Sequence, residues 1–151
     1  MACMSFENHY FGVKFTVMSR SILVLFAALF SLYSFGQSHE NIADAKAGEE
    51  FKNIHVRKMD SDPLASTFLI WVKNSVKEHY HAEHTEVVQV IEGEGVLTLG
   101  DDRFDIKAGD YIFIPKGTHH SVEVTSGSIL KALSIQTPFF DGKDRIFVSK
   151  E

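Results

Sequence analysis

The sequence predicts an all-β fold, on the basis of its turn residues and its strand-like segments. From Phe51 onward the chain is punctuated at short intervals by residues that favour turns. These clusters are Asp60–Pro63, Glu92–Gly95, Gly100–Asp102, Ala108–Asp110, Lys116–Gly117 and Ser126–Gly127. No stretch after the N-terminal region shows the 3.6-residue period of an amphipathic helix. Short segments between regular turns are typical of a β-sandwich or a β-barrel.

Eight segments qualify as strands because turns bound them and many are rich in β-branched or aromatic residues. In chain order they are Lys52–Met59, Thr67–Lys73, Glu86–Ile91, Val96–Leu99, Arg103–Ile106, Tyr111–Ile114, Ser121–Val124 and Ile129–Gln136. Neither an internal repeat nor a low-complexity tract interrupts them. We therefore expect residues 51–137 to form a single barrel domain.

The composition is ordinary for one soluble globular domain. The chain has 151 residues, of which 44% are hydrophobic and 23% are charged. The formal net charge is -5, and no run of lysine or arginine occurs. Because binding to phosphates requires a basic face, this charge argues against a nucleic-acid partner.

The N-terminal region differs in character from the rest of the chain. The apolar run Ile22–Phe30 follows two basic residues, Lys14 and Arg20, and it precedes small residues. This order is typical of a secretory signal. We expect residues 1–36 to be a signal peptide, with Met18 as an alternative translation start.

Cleavage of that signal between Gly36 and Gln37 would leave a secreted or periplasmic protein. The apolar stretch is shorter than the roughly 20 residues of a membrane span, so no stable membrane insertion is expected after cleavage. An uncleaved N-terminal anchor is the alternative. The single cysteine, Cys3, precedes the apolar run, so the mature chain would have neither a disulfide nor a zinc site built on thiolates.

Two further segments flank the predicted barrel. Residues 37–50 show no strong period and are expected to form a flexible arm. Residues 138–151 are expected to be a C-terminal tail that packs on the barrel. The apolar residues that would dock this tail are Phe139, Phe140, Ile146 and Phe147.

Most histidines of the expected mature chain lie in two short segments, Lys77–Glu86 and Gly117–His120. Alternate residues of a strand share one face, so His79 and His81 can direct two imidazoles to one centre. Imidazole is a common ligand for iron, zinc, copper and nickel. A His-x-His pair on a half-exposed strand can equally be solvated and inert.

Two other residues could complete such a site. Glu86 lies five residues after His81, an odd separation that points it to the opposite face of a straight strand. The segment Ala82–Thr85 must therefore bend to bring the carboxylate round. His120 lies far along the chain and must arrive from a different strand.

The chain also resembles the cupin superfamily through two sequence motifs. The first motif, His-x-His, three or four residues, Glu, six residues and Gly, corresponds to His79, His81, Glu86 and Gly93. The second motif, Gly, five residues, Pro-x-Gly, two residues and His, corresponds to Gly109, Pro115, Gly117 and His120. The asparagine that ends the second motif is replaced by Val124. The resemblance spans Thr67–Ser134.

This resemblance implies a single jelly-roll barrel that binds one divalent metal ion. The metal ligands it implies are His79, His81, Glu86 and His120. Iron, manganese, nickel and zinc all fit this ligand set. Four protein ligands would leave an octahedral ion two open positions for a small-molecule ligand.

The sequence does not identify a catalytic residue. No Gly-x-Ser-x-Gly setting or catalytic cysteine is present in the mature region. Proximity along the chain alone makes Tyr80, His84 and His119 candidates for general acid–base roles. Each of them is equally consistent with a solvated or packed side chain.

Three functions agree with these observations. The first is a metal-dependent enzyme that acts on a small oxygenated molecule, such as a sugar, uronate, carboxylate or dicarbonyl, by Lewis-acid or dioxygen chemistry. The second is a non-catalytic cupin that binds a small molecule, and the third is a structural barrel. Apolar residues on both faces of Phe68–Val72 and Ile129–Leu133 also predict a homodimer.

Overall fold

All regular secondary structure in the described part of the chain is β-strand, which confirms the predicted all-β fold. The computed structural model describes residues 38–148, so the signal peptide predicted over residues 1–36 lies outside it. The strands are β1 Ile54–Ser61, β2 Ser66–Val72, β3 Ser75–Tyr80, β4 Thr85–Glu92, β5 Glu94–Leu99, β6 Asp102–Lys107, β7 Tyr111–Ile114, β8 His120–Val124, β9 Leu130–Thr137 and β10 Ile146–Phe147. Between residues 38 and 148, no helix has the length and apolar character needed to cross a membrane.

The strands form two antiparallel five-stranded sheets arranged as a jelly roll. One sheet has the order β1-β2-β9-β4-β7, and the other has the order β10-β3-β8-β5-β6. Along β7, Ile112 and Ile114 are buried while Tyr111 and Phe113 are exposed, as the two-residue period of a strand requires. The inward side chains of both sheets meet in one core, which comprises Val72, Val90, Leu97, Ile106, Ile112, Ile114, Val122 and Leu130.

Each predicted strand has a counterpart in the structure, but two observed strands were absent from the prediction. The first is β3, whose sequence contains a lysine, a glutamate and a histidine. Its most deeply buried residue is His79, which is polar. A search for alternating hydrophobic residues therefore does not detect this strand. The second is β10, which has only two residues and pairs with β3.

Two glycines where the chain passes from β4 in one sheet to β5 in the other are required for different reasons. Gly93 has a φ of 84°, and a Cβ on it would lie 2.6 Å from the carbonyl oxygen of Ile129. Gly95 is not in the left-handed region, but a Cβ there would lie 2.6 Å from the carbonyl oxygen of Glu123. The close approach of a neighbouring backbone therefore requires glycine at both positions, and the positive φ of Gly93 is a second requirement there.

The described part of the predicted arm, residues 38–50, packs against the outer face of the first sheet. There Leu69 and Trp71 form a second apolar cluster with Ala45, and Ile42 packs against that cluster. The buried amine of Lys131 donates hydrogen bonds to the carbonyl oxygens of Ala43 and Ala45, at 2.7 and 3.3 Å. The second apolar face of β2 is thus covered by the chain's own N-terminal segment.

The C-terminal tail is held to the barrel by one aromatic side chain and one short strand. Phe140 is 6% exposed, and its ring meets that of Phe68 edge-on with 5.9 Å between centroids. In β10, Ile146 and Phe147 pair with Tyr80 and His79 of β3. The remaining apolar tail residues predicted to dock, Phe139, Ile146 and Phe147, are exposed.

Truncation of Leu69 should reveal how much the outer apolar cluster stabilises the fold. Leu69 is fully buried, so Leu69→Ala should lower the free energy of unfolding by about 3 kcal/mol, the typical cost of a cavity at a buried leucine. Leu64 is 76% exposed and is the matched control, for which the cost should stay within about 0.5 kcal/mol. Urea denaturation measures both values, and equal effects of the two substitutions would contradict the burial described here.

The homodimer stays a prediction, and the exposed apolar side chains of β7 offer a surface for it. Tyr111 and Phe113 are 67% and 52% exposed and lie on the same face of the strand. Sedimentation at micromolar concentration should give the mass of a dimer, and Phe113→Glu should shift it towards a monomer. A monomeric wild-type protein would reject the prediction.

Candidate metal centre

Three histidine side chains meet at one end of the barrel. His79 in β3 and His120, the first residue of β8, are direct partners in the antiparallel register of the two strands. His81 follows β3 and lies on the same side as His79. One ring nitrogen from each of the three lies within 4.8 Å of those of the other two, and all three residues are buried. These histidines could hold a metal ion.

Glu86 reaches the same place from the other sheet. The backbone bends at Ala82 and Glu83 before β4 begins, as the odd spacing between His81 and Glu86 requires. The Oε2 atom of Glu86 lies 3.5 Å from Nε2 of His81 and 3.3 Å from Nε2 of His120. The structure therefore brings together all four residues of the predicted ligand set.

Backbone carbonyl groups orient each of the three imidazoles. The Nδ1 atoms of His79 and His120 lie 2.9 Å from the carbonyl oxygens of Lys77 and Thr118. The Nδ1 of His81 contacts the carbonyl oxygen of Asp144. Since a carbonyl can only accept, each Nδ1 carries the proton in these contacts. In the neutral ring the lone pair then lies on Nε2, the atom available to a metal.

The protonation states of Glu86 and His79 favour a cation at the centre. Burial by itself would raise the pKa of Glu86, but the imidazoles of His120 and His81 and the hydroxyl of Ser134 hold its pKa well below its usual range. Burial of the His79 ring, together with the neighbouring His120, lowers the pKa of His79 to about 4. At neutral pH the site therefore contains a carboxylate and a neutral His79.

Two buried nitrogen atoms at this centre have no hydrogen-bond partner among residues 38–148. They are Nε2 of His81 and Nε2 of His120, the same two atoms that face Oε2 of Glu86. The lowered pKa of Glu86 requires a positive charge at these two nitrogen atoms, because unprotonated Nε2 lone pairs would repel the carboxylate oxygen. Two added protons would place positive rings side by side, whereas one divalent ion would supply the charge and satisfy every donor atom. The residues present therefore fit a divalent metal ion.

Polar side chains from β9 support the carboxylate of Glu86. The hydroxyl of Ser134 donates to Oε1 of Glu86, and Nε2 of Gln136 lies 3.5 Å from the same oxygen. Ser134 and Gln136 are almost completely buried. Neither residue was predicted from the sequence, although two polar residues on one face of a mainly apolar strand were a usable signal.

Asp144 in the C-terminal tail fixes the loop between two members of the ligand set. Its carboxylate accepts hydrogen bonds from the backbone amides of Ala82 and Glu83, at 3.0 and 2.8 Å, and from Nδ1 of His84, at 2.6 Å. Although burial opposes ionisation, the hydrogen bond from His84 and these amides lower the pKa of Asp144 to about 2. Asp144 is remote from this loop in the chain, and no local sequence pattern could have identified it.

The three predicted acid–base candidates do not line the barrel cavity described below. His84 is buried, donates to Asp144 and to the carbonyl oxygen of Phe139, and is fully occupied by these contacts. The ring of Tyr80 stacks on that of His119, with 4.9 Å between centroids. His119 is exposed, and its Nδ1 lies 3.3 Å from Oε1 of Glu78. Each contact has a structural explanation that does not involve a substrate.

A cavity of about 100 Å³ inside the barrel opens beside three of the four residues. His79, Glu86 and His120 lie on its wall, as does Arg145 from the tail. The rest of the wall is mainly aliphatic and includes side chains from both sheets. The cavity is smaller than the roughly 300–1,000 Å³ of typical drug-sized sites, so it would suit a molecule of few atoms.

Removal of the Asp144 carboxylate should loosen this end of the barrel. Asp144→Ala leaves two backbone amides and His84 without their acceptor, so the free energy of unfolding of metal-free protein should fall by about 2–4 kcal/mol. Asp141 is in the same tail, and its carboxylate pairs only with Lys143, so Asp141→Ala is the matched control and should behave as the wild type. Urea denaturation in the presence of a chelator gives both results. An unaltered midpoint for Asp144→Ala would show that the tail does not support the loop.

Comparisons with known proteins agree with this architecture. A family model described as "Cupin domain" matches residues 67–136. An uncharacterized protein of Aquifex aeolicus is 40% identical over 97 residues, which span 64% of this chain and 79% of that protein. An oxalate-binding protein of Thermotoga maritima is 36% identical over 62 residues, which span 41% of this chain and 51% of that protein.

A solved structure supports the same fold with little sequence identity. An uncharacterized conserved protein from Klebsiella pneumoniae, described as having a double-stranded β-helix domain, superposes with a TM-score of 0.64. It is 16% identical, and the match covers 76% of this chain and all of that one. Together with the two motifs and the two-sheet barrel, these likenesses show that the chain belongs to the cupin superfamily.

Proposed function

We propose that this protein is a metal-dependent cupin that acts on a small oxygenated organic molecule bound in the barrel cavity. His79, His81, Glu86 and His120 would hold one divalent ion. The observation that carries the proposal is the pair of buried, unpartnered Nε2 atoms that face an ionised carboxylate. Without a cation, this arrangement would destabilise the folded protein.

The donor set defines a range of metals rather than one. Three neutral imidazoles and one carboxylate suit iron, nickel or zinc, and the carboxylate also suits manganese. The four side chains carry a single negative charge, so a divalent ion would leave the site with a net positive charge. Such a charge favours ligands that are oxygen-rich or anionic.

The protein's own groups prepare the cavity for such a ligand. The carbonyl groups that bind each Nδ1 hold the imidazoles in one orientation, and Ser134 holds the carboxylate of Glu86. The aliphatic wall excludes water and strengthens electrostatic interactions inside the cavity. A bound divalent ion would supply Lewis-acid chemistry at a ligand oxygen or, for a redox-active metal, chemistry with dioxygen.

Non-catalytic binding of a small molecule is the second candidate. The name of the Thermotoga relative, an oxalate-binding protein, favours it. Among the described residues that line the cavity, the polar side chains outside the proposed ligand set are Ser121 and Arg145. Neither is an ordinary proton-transfer group, so a reaction at this site would depend on the ligand set itself.

Export of the mature chain to the periplasm or the exterior is part of this proposal. It rests on the sequence of residues 1–36 alone. The proposal also expects no nucleic-acid partner, because the net charge of -5 disfavours phosphate binding.

Elemental analysis of protein purified without added metal should find about one divalent ion per chain. His120→Ala removes a donor from the centre of the set, so metal content should fall at least about tenfold. His119→Ala is the matched control, since His119 is the adjacent residue, is exposed and contacts Glu78 instead. Its metal content should equal that of the wild type.

The identity of the metal directs the choice of assay, and turnover by His120→Ala separates the two candidate functions. Iron or nickel would direct assays towards dioxygen chemistry, and manganese or zinc towards Lewis-acid chemistry. Turnover that disappears in folded His120→Ala would support an enzyme, whereas metal-dependent binding without turnover would support the second candidate. A wild-type protein that binds no divalent ion, even after reconstitution, would overturn the proposal.

A further inference from the structure

Arg145 is a positively charged side chain in the wall of the same cavity, and it is not part of the proposed metal-ligand set. It lies in the tail between Asp144 and β10, and it shares the cavity wall with His79, Glu86 and His120. Its Nε atom is buried, and between residues 38 and 148 no acceptor binds that atom. A guanidinium group stays protonated at any pH at which the protein is folded.

The charge of Arg145 is also unpaired within the described part of the chain. No carboxylate of residues 38–148 lies within 4.0 Å of it, and this includes the neighbouring Glu86. Arg57, by contrast, has a carboxylate partner. Its Nε is buried in the same way, but its Nη2 pairs with Glu40 at 2.7 Å. An arginine that borders an apolar cavity without a counter-ion carries a desolvation cost that an anion in the cavity would offset.

Arg145 and the candidate metal centre share one small cavity. His79, Glu86 and His120 line the same cavity of about 100 Å³ as Arg145. One small molecule in that cavity could therefore contact both the guanidinium and the centre. The small volume of this cavity also favours molecules of few atoms.

We propose that Arg145 binds the carboxylate group of the ligand, so that the site selects small carboxylic acids over uncharged molecules of the same shape. The planar fork of a guanidinium matches a carboxylate, and paired charge-assisted hydrogen bonds make this contact stronger than a neutral one. With three neutral imidazoles, one carboxylate and a divalent ion, the arginine brings the net charge of the cavity to two positive charges. The inference deepens the proposed function and rests on it for the second contact of the ligand.

Two isosteric probes and three variants test this inference. Glycolate is the anionic probe, and glycolamide, in which an amide replaces the carboxylate, is the neutral one. Arg145→Gln removes the charge, and Arg145→Lys keeps the charge but not the planar fork. Arg103→Gln is the matched control, because Arg103 is an exposed arginine of β6 that faces Glu123.

Cobalt(II) affinity is measured first, from the visible absorption of the bound ion, and each probe is then titrated into loaded protein by calorimetry. Wild type should prefer glycolate to glycolamide by at least about tenfold. Arg145→Gln should weaken glycolate binding by about tenfold to hundredfold and reduce the preference over glycolamide by a similar factor, leaving only the part that the metal ion supplies. Its cobalt affinity should be unchanged or higher, because a nearby positive charge has been removed. Arg145→Lys should recover part of the preference, and Arg103→Gln should match the wild type.

Arg145→Gln should weaken glycolate binding without weakening cobalt binding, and this difference separates ligand recognition from a structural role. If Arg145 merely held the tail in place, Arg145→Gln would weaken both cobalt and glycolate binding, and the inference would be wrong. It would also be wrong if Arg145→Gln bound glycolate as the wild type does, or if the wild type showed no preference for the anion. A wild type that fails to bind cobalt rejects the proposed function instead. Glycolate and glycolamide titrated into metal-free protein then decide the role of Arg145 separately.

Discussion

The convergence of three imidazoles on one buried carboxylate is the constraint on which the rest of this site depends. Glu86 reaches the centre from one sheet, while His79 and His120 are paired strand residues of the other. Such a cluster of lone pairs and negative charge is stable in a buried position only when a cation joins it. The same requirement that makes the cluster costly to fold without a cation makes it a candidate site for a metal ion.

The barrel supplies this cluster with rigid support at several points. The amide of Gly117 donates to the carbonyl oxygen of His81 at 2.6 Å, so the turn before His120 is tied to the first motif. From the opposite side, Asp144 fixes the bend between His81 and Glu86 through its carboxylate. Groups held in this way lose little entropy when they bind an ion, since their orientation is already set.

Membership in the cupin superfamily defines the fold but not the reaction, because this architecture carries many unrelated functions. What distinguishes this chain is the wall around the candidate centre. The cavity is small and mainly aliphatic, and its cation, Arg145, comes from the C-terminal tail rather than from the barrel strands of the two motifs. Under the proposed function, ligand choice would therefore depend on a segment outside the two motifs.

Local patterns in the sequence were sufficient for eight of the ten described strands and for the turns, and the two motifs of the family resemblance supplied the four residues of the candidate centre. Strand periodicity directs His79 and His81 to one face, and the odd spacing to Glu86 requires the bend that the structure contains. Strand β3 escaped prediction because its buried position is a histidine, which hydrophobic periodicity does not detect.

The positions of Asp144 and Arg145 beside the centre were decided only by the tertiary structure. Each depends on how a tail remote in sequence packs across the end of the barrel, and chain connectivity alone does not specify such long-range contacts. Local sequence determines which residues a strand can present on each face. The packing of the whole chain determines which charges those residues meet.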